Sequence, residues 1–195
     1  MSGAMLSVAV YCGARHGSDA AYAQAARRLG QAIGERAWQL VYGGGNVGLM
    51  GELADAVLAA GGRVVGVIPE SLMRREVGHT RLHEQHVVAT MHQRKHMMAE
   101  RADVFIALPG GIGTLEELYE VWTWRQLGYH DKPLGLLNVA GYFDALLTFM
   151  QGAVDQGFLS AEQFAVLQVS TEPTELLARL ASLTRTGSRE DFAKI

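Results

Sequence analysis

Residues 103–117 run Asp103-Val104-Phe105-Ile106-Ala107-Leu108-Pro109-Gly110-Gly111-Ile112-Gly113-Thr114-Leu115-Glu116-Glu117. Asp103–Leu108 is short, continuous and almost wholly apolar, as a strand is when helices cover both faces of its sheet. Pro109 ends it, the glycines bare the backbone, and a helix-period segment runs from Leu115 to Leu127. The same order occurs upstream. Gln39–Tyr42 is a strand, Gly43-Gly44-Gly45-Asn46-Val47-Gly48 a loop, and Leu49–Ala60 a helix.

Outward from these two units the alternation continues. Leu6–Tyr11 and Arg63–Ile68 read as strands, the second closed by Pro69. Ala20–Arg36, capped by Ser18 or Asp19, and Met91–Arg101 read as helices. Strand Leu134–Val139, helix Tyr142–Gln156, a short strand near Ala165–Val169 and helix Thr174–Leu183 complete the order. Strands alternating with helices predict βαβ units, an α/β fold and a doubly wound, mainly parallel sheet with helices on both faces. Residues 1–195 are expected to form one domain, with a polar and loose tail from Thr184. Glu70–Ala89 is the least regular part and is expected to be a loop flanking the ligand site.

With 195 residues, 49% hydrophobic and 19% charged, the chain can bury one sizeable core. A net charge of -3 gives no electrostatic footprint for nucleic acid, although one pocket can still bind a small anion. Cys12 is the only cysteine, which excludes an intrachain disulfide and a cysteine-ligated metal cluster. There is no apolar run of about 18 residues, and Met1–Met5 lacks the character of a signal peptide. A cytoplasmic location without membrane contact is the expectation.

Both glycine loops join a strand end to a helix start, where free N–H groups and the helix dipole favour an anion. Ligands of open parallel sheets bind at such strand ends, which suggests one shared pocket. The first loop is neither a dinucleotide fingerprint nor a Walker loop, since the G-x-G-x-x-G spacing and the Lys-Ser/Thr pair are missing. Simple turns remain an alternative. The first loop can be a tight turn packed at Gly48 and Gly51. In the second, Thr114 and Glu117 have the spacing of a capping box. Against a mere cap, Glu116 and Glu117 put two negative charges beside an anion loop. A sugar phosphate suits that arrangement, with phosphate on the loop and a carboxylate facing the sugar.

Met91-His92-Gln93-Arg94-Lys95-His96-Met97-Met98 places a cation in line with methionines on one helix face. Taken alone, the segment favours a side chain that snorkels at the helix rim; an adjacent anion site favours burial instead. His92 and His96 have the i, i+4 spacing of a metal pair, but no H-E-x-x-H and no third ligand accompany them, and no metal site is expected.

Taken together these segments resemble the "lonely guy" family of cytokinin riboside 5′-monophosphate phosphoribohydrolases. Residues 109–117 match its P-G-G-x-G-T-x-x-E motif, and Met91-His92-Gln93-Arg94-Lys95 its second motif. Tyr42–Gly51, residues 122–128 and residues 130–134 are also similar, so the likeness runs from about Val8 to Leu180. The resemblance implies a Rossmann-like fold, a homodimer or larger homo-oligomer, and hydrolysis of AMP-type nucleotides to free base and ribose 5-phosphate. By position it implies Arg94 and Glu117 as the catalytic pair. It implies Lys95, Gly110, Gly111, Gly113, Thr114 and Glu116 as substrate contacts, with Glu76, Thr123, Gly44 and Gly45 as further candidates. The name lysine decarboxylase has often been attached to such chains. The lysines here are Lys95, Lys132 and Lys194 only, and the chain is short for pyridoxal phosphate chemistry.

Cleaving an N-glycosidic bond builds positive charge on the ribose, which a carboxylate stabilises directly or by activating water. The chemistry asks for no metal or redox cofactor. The competing expectation is a nucleotide or cofactor carrier that uses the same loops without chemistry. The aromatic region of Trp122, Trp124, Leu127 and Tyr129 reads either as core packing or as the anchor of a subunit interface.

Overall fold

The computed structural model describes residues 5–73, 77–184 and 192. The strands are β1 (Ser7–Tyr11), β2 (Gln39–Tyr42), β3 (Arg63–Pro69), β4 (Glu84–Val88), β5 (Val104–Ala107), β6 (Leu134–Leu137) and β7 (Leu167–Ser170). The helices are α1 (Ala20–Glu35), α2 (Gly48–Ala59), α3 (Met91–Glu100), α4 (Ile112–Gln126), α5 (Asp144–Asp155), α6 (Ala161–Ala165) and α7 (Pro173–Leu183). The strands form one sheet in the order β4-β3-β2-β1-β5-β6-β7, and every pairing is parallel. The expected α/β architecture is therefore present, as a seven-stranded, all-parallel Rossmann-like sheet.

Period-two alternation sends side chains from each apolar run to both faces. Val8, Val10, Val104 and Ile106 pack with α1, α2 and α7, while Ala9, Tyr11, Phe105 and Ala107 pack with α3 and α4. Burial of this kind on both faces is why these strands lack an exposed polar stripe. At the sheet's centre β1 pairs with β2 on one side and β5 on the other. The chain leaves β1 in one direction and β5 in the other, which opens a crevice at their carboxyl ends.

Two elements depart from the sequence expectation. The stretch expected to be a loop contains β4, which pairs with β3 from Val65↔Glu84 to Pro69↔Val88. It is an edge strand, so its polar residues hid the pattern; Glu84 alone receives Arg63, His86 and Arg101. The short α6 precedes β7, where a strand was expected from Ala165 onward. Trp122 and Trp124 are buried at 4% and 8% exposure, which corrects the alternative that made them interface anchors; Leu127 stays exposed. Within the stretch expected to be loose, Phe192 is buried against Trp124 and His130, and the Lys132 ammonium lies 4.7 Å from its ring centre.

Candidate active site

A cleft of about 760 Å³ opens at the carboxyl ends of β1, β2 and β5. Gly110, Gly111, Gly113, Thr114, Glu116 and Glu117 line it from the second glycine loop and the start of α4, and Arg94 from α3. The first loop contributes Gly43, and the start of α2 contributes Leu49 and Met50. Both loops thus share one pocket, as their positions predict.

The start of α4 differs from the expected geometry. The helix begins at Ile112 with Gly111 as its N-cap and has no side-chain cap. Thr114 is therefore a buried residue of the first turn and not the cap, and the capping-box role for Glu117 does not hold. A capping box does exist at α3, where Thr90 accepts from the Gln93 amide and Gln93 accepts from the Thr90 amide. The α4 N–H groups are left for the cleft. Positions 111 and 113 face open space, since a Cβ at either would meet nothing within 4 Å. The loop itself is fixed from outside: the Gly13 amide donates to the Pro109 carbonyl at 3.0 Å, and the Tyr142 hydroxyl donates to the Gly110 carbonyl at 2.6 Å.

Arg94 and Lys95 are 5% and 7% exposed, so neither snorkels at the rim. Arg94 Nη2 donates to the Gly43 carbonyl at 3.1 Å. A Cβ at position 43 would stand 1.9 Å from that nitrogen, so a side chain there would push the guanidinium from its seat. Lys95 Nζ lies 2.5 Å from Glu116 Oε1 and 2.9 Å from Glu120 Oε1. Burial pulls the Lys95 ammonium down, but hydrogen bonds to both carboxylates outweigh it and leave the pKa raised. Glu116 is thereby committed to a structural ion pair, while Glu117 stands one position on, half-buried and lining the cleft with Arg94.

Other candidates lie apart from this grouping. Gly44 and Gly45 are buried behind Gly43 and do not line the cleft; Gly45 is bridged to Gly78. Thr123 is exposed farther along α4. Glu76 lies outside the described residues. His92 is exposed and His96 faces Glu100 at 3.2 Å. Among the described residues, no group of three His, Cys, Asp or Glu is placed to hold a metal.

A third loop, Cys12 to Gly17, also lines the cleft, together with Tyr11, Leu72, Met91 and Tyr142. The sequence gives little warning of it. Its two separated glycines, Gly13 and Gly17, form no glycine-rich run, and its role arises because β1 is central and its end abuts Pro109.

Residues 50–180 match the family described as "possible lysine decarboxylase". A cytokinin riboside 5′-monophosphate phosphoribohydrolase of Arabidopsis thaliana is 51% identical over 89% of this chain and 80% of its own. A probable enzyme of the same name from Oryza sativa subsp. japonica is 50% identical over 89% of this chain and 71% of its own. The chain belongs to this phosphoribohydrolase family. In fold, the family member superposes on the molybdenum cofactor carrier protein of Chlamydomonas reinhardtii with a TM-score of 0.70, covering 92% of this chain and 98% of the carrier at 20% identity. At that identity the likeness is one of architecture.

Proposed function

We propose that this phosphoribohydrolase hydrolyses the N-glycosidic bond of AMP-type nucleotides, releasing free base and ribose 5-phosphate. The closeness of the plant enzymes, near half identity over most of the chain, supports the activity. The observation that carries the reading is the pairing, in one cleft, of an uncapped helix N-terminus with a neighbouring half-buried carboxylate.

The 5′-phosphate sits on the bare amides of Gly111 to Gly113, where the dipole of α4 favours a negative charge. Glu117 then faces the ribose. As the bond from C1′ to the base breaks, positive charge grows on the sugar, and the Glu117 carboxylate stabilises it or takes a proton from the attacking water. The water oxygen bonds to C1′, and the base leaves with a proton. Arg94, held by Gly43, clamps a phosphate or sugar oxygen or polarises the leaving base. The carrier alternative shares the fold, but a carrier gains little from a carboxylate beside a phosphate cradle. A cytoplasmic location and a homodimer or larger assembly belong to the same proposal. Among the described residues no helix is long and apolar enough to cross a membrane.

The test is product analysis with AMP, N6-substituted AMP and adenosine. Free base and ribose 5-phosphate from the nucleotides, with adenosine far poorer in kcat/KM, is the expected result. Bound but unconverted nucleotide would favour the carrier, and equal kcat/KM for AMP and adenosine would remove the phosphate cradle.

A further inference from the structure

The turn between β6 and α5 is built to place one side chain. Ala140 lies in the left-handed region at φ 50° and ψ 32°, a conformation that is costly for a residue with a Cβ and persists only where its neighbours enforce it. Here they do. The Asn138 side chain donates to Asp144 Oδ1 at 2.7 Å and accepts from the Phe143 amide at 2.8 Å, and the Tyr142 amide donates to the Val139 carbonyl at 3.0 Å. Phe143, 1% exposed, anchors the turn in the core. Tyr142 is 42% exposed, so core packing does not account for where it stands. Its ring is edge-on to Tyr22 of α1 with centroids 5.5 Å apart, and its hydroxyl donates to the Gly110 carbonyl at 2.6 Å.

That carbonyl belongs to the peptide unit between Gly110 and Gly111, just before α4. In a planar trans peptide the carbonyl and the N–H that follows it point in opposite directions. By fixing the one, Tyr142 fixes the other, and the Gly111 N–H is held away from the tyrosine. Two adjacent glycines leave this unit free to turn over. A half-turn carries φ of Gly111 from -89° to the positive side, which glycine enters readily and other residues do not. Turned over, the unit would set a carbonyl oxygen where an anion needs an N–H.

We propose that Tyr142 is a positioning residue for the 5′-phosphate of the substrate: its hydrogen bond to the Gly110 carbonyl locks the Gly110–Gly111 peptide with the N–H toward the phosphate. This rests on the phosphate seat given above. The lock requires no contact between Tyr142 and the substrate and no proton transfer, and it acts on phosphate binding alone.

The experiment compares wild type, Tyr142→Phe, Gly111→Ala and the double variant, with thermal melts as folding control. Tyr142→Phe removes only the hydroxyl. Gly111→Ala keeps the present φ, bars the half-turn, and adds a Cβ that meets nothing within 4 Å. Two readouts are used: binding of ribose 5-phosphate by calorimetry, and kcat and KM for AMP and for adenosine. Tyr142→Phe is expected to weaken ribose 5-phosphate about fivefold, the worth of one ordinary hydrogen bond. KM for AMP should rise by the same factor, with kcat for AMP and kcat/KM for adenosine near wild type. Whatever Gly111→Ala costs by itself, adding Tyr142→Phe to it should cost about twofold at most. Unchanged ribose 5-phosphate affinity in Tyr142→Phe, equal losses on AMP and adenosine, or a Tyr142→Phe loss that persists undiminished in Gly111→Ala overturns the proposal. A wild type that binds ribose 5-phosphate but releases no base overturns the proposed function, while the binding comparison still decides the role of Tyr142; one that does not bind it overturns both.

Discussion

Arg94 Nη2 and the Gly43 carbonyl lie 3.1 Å apart, and position 43 leaves no room for a Cβ beside that guanidinium. The first glycine loop thus acts on the cleft by seating a cation between two loops. Gly43→Ala should displace Arg94 without removing it. Turnover should fall by about 10²-fold, the scale for one misplaced electrostatic group. Arg94→Ala should do no less damage. Steady-state base release by the two variants is the measurement, and a fully active Gly43→Ala enzyme would show that Arg94 need not be held there.

Glu117→Gln bears on the chemistry directly. Because α4 has no side-chain cap and Glu117 closes no capping box, the change should leave the melting temperature within about 2 °C of wild type. The rate should drop by about 10²–10³. Wild-type turnover from a well-folded Glu117→Gln protein would take this carboxylate out of the mechanism.

Lys95 predicts a stability effect instead. Lys95→Met leaves Glu116 and Glu120 beside each other without their shared cation. A fully buried pair broken in this way costs about 3–5 kcal/mol; with the Glu116 side chain half exposed, the cost here should be nearer 2 kcal/mol. That corresponds to a fall of about 4–8 °C in Tm for a chain of this size, read by calorimetry. Since the Lys95 pKa is raised, its stabilising share is present through neutral pH and lost only in strongly alkaline solution.

How much of this was legible in the sequence depended on how local the cause was. Apolar runs such as Val104–Ala107 and the breaks at Pro109 and Gly110 act within a few residues, and the parallel sheet followed from them. Strand β4 escaped because an edge strand keeps one side polar, as Glu84 and His86 do. The burial of Arg94 escaped because its acceptor at Gly43 is 51 residues away in the chain. Thr114 reads as a cap because threonine commonly is one; Gly111, three residues earlier, is the N-cap instead and leaves the amides uncovered.

His130 makes the fold sensitive to acid. It is 2% exposed; its Nε2–H donates to the Val121 carbonyl at 2.8 Å, and its Nδ1 accepts from the Lys132 amide at 3.1 Å. Burial, with Lys132 and Arg125 nearby, pushes its pKa down to about 4, against the opposing pull of the Val121 carbonyl. In the unfolded chain the ring takes up its proton near pH 6.5, whereas the folded protein resists until about 4. Stability should therefore fall as pH drops through that window, by about 3 kcal/mol in all. Melts of His130→Gln should show a flatter profile between those limits; an unchanged slope would assign the acid sensitivity to other groups.

The strand order has a consequence for how the protein comes into being. A ribosome releases β1 to β4 as one contiguous half-sheet, with the far edge of β1 unpaired until β5 follows. That open edge is the place where a nascent chain is most exposed to mispairing. The cleft lies on the same seam: Tyr11, Gly43 and Arg94 come from the early half, and Gly110 to Glu117 and Tyr142 from the late half. Neither half can assemble it alone. In a refolding experiment, then, recovered turnover reports the docking of the two halves, whereas helical signal reports only that each has formed.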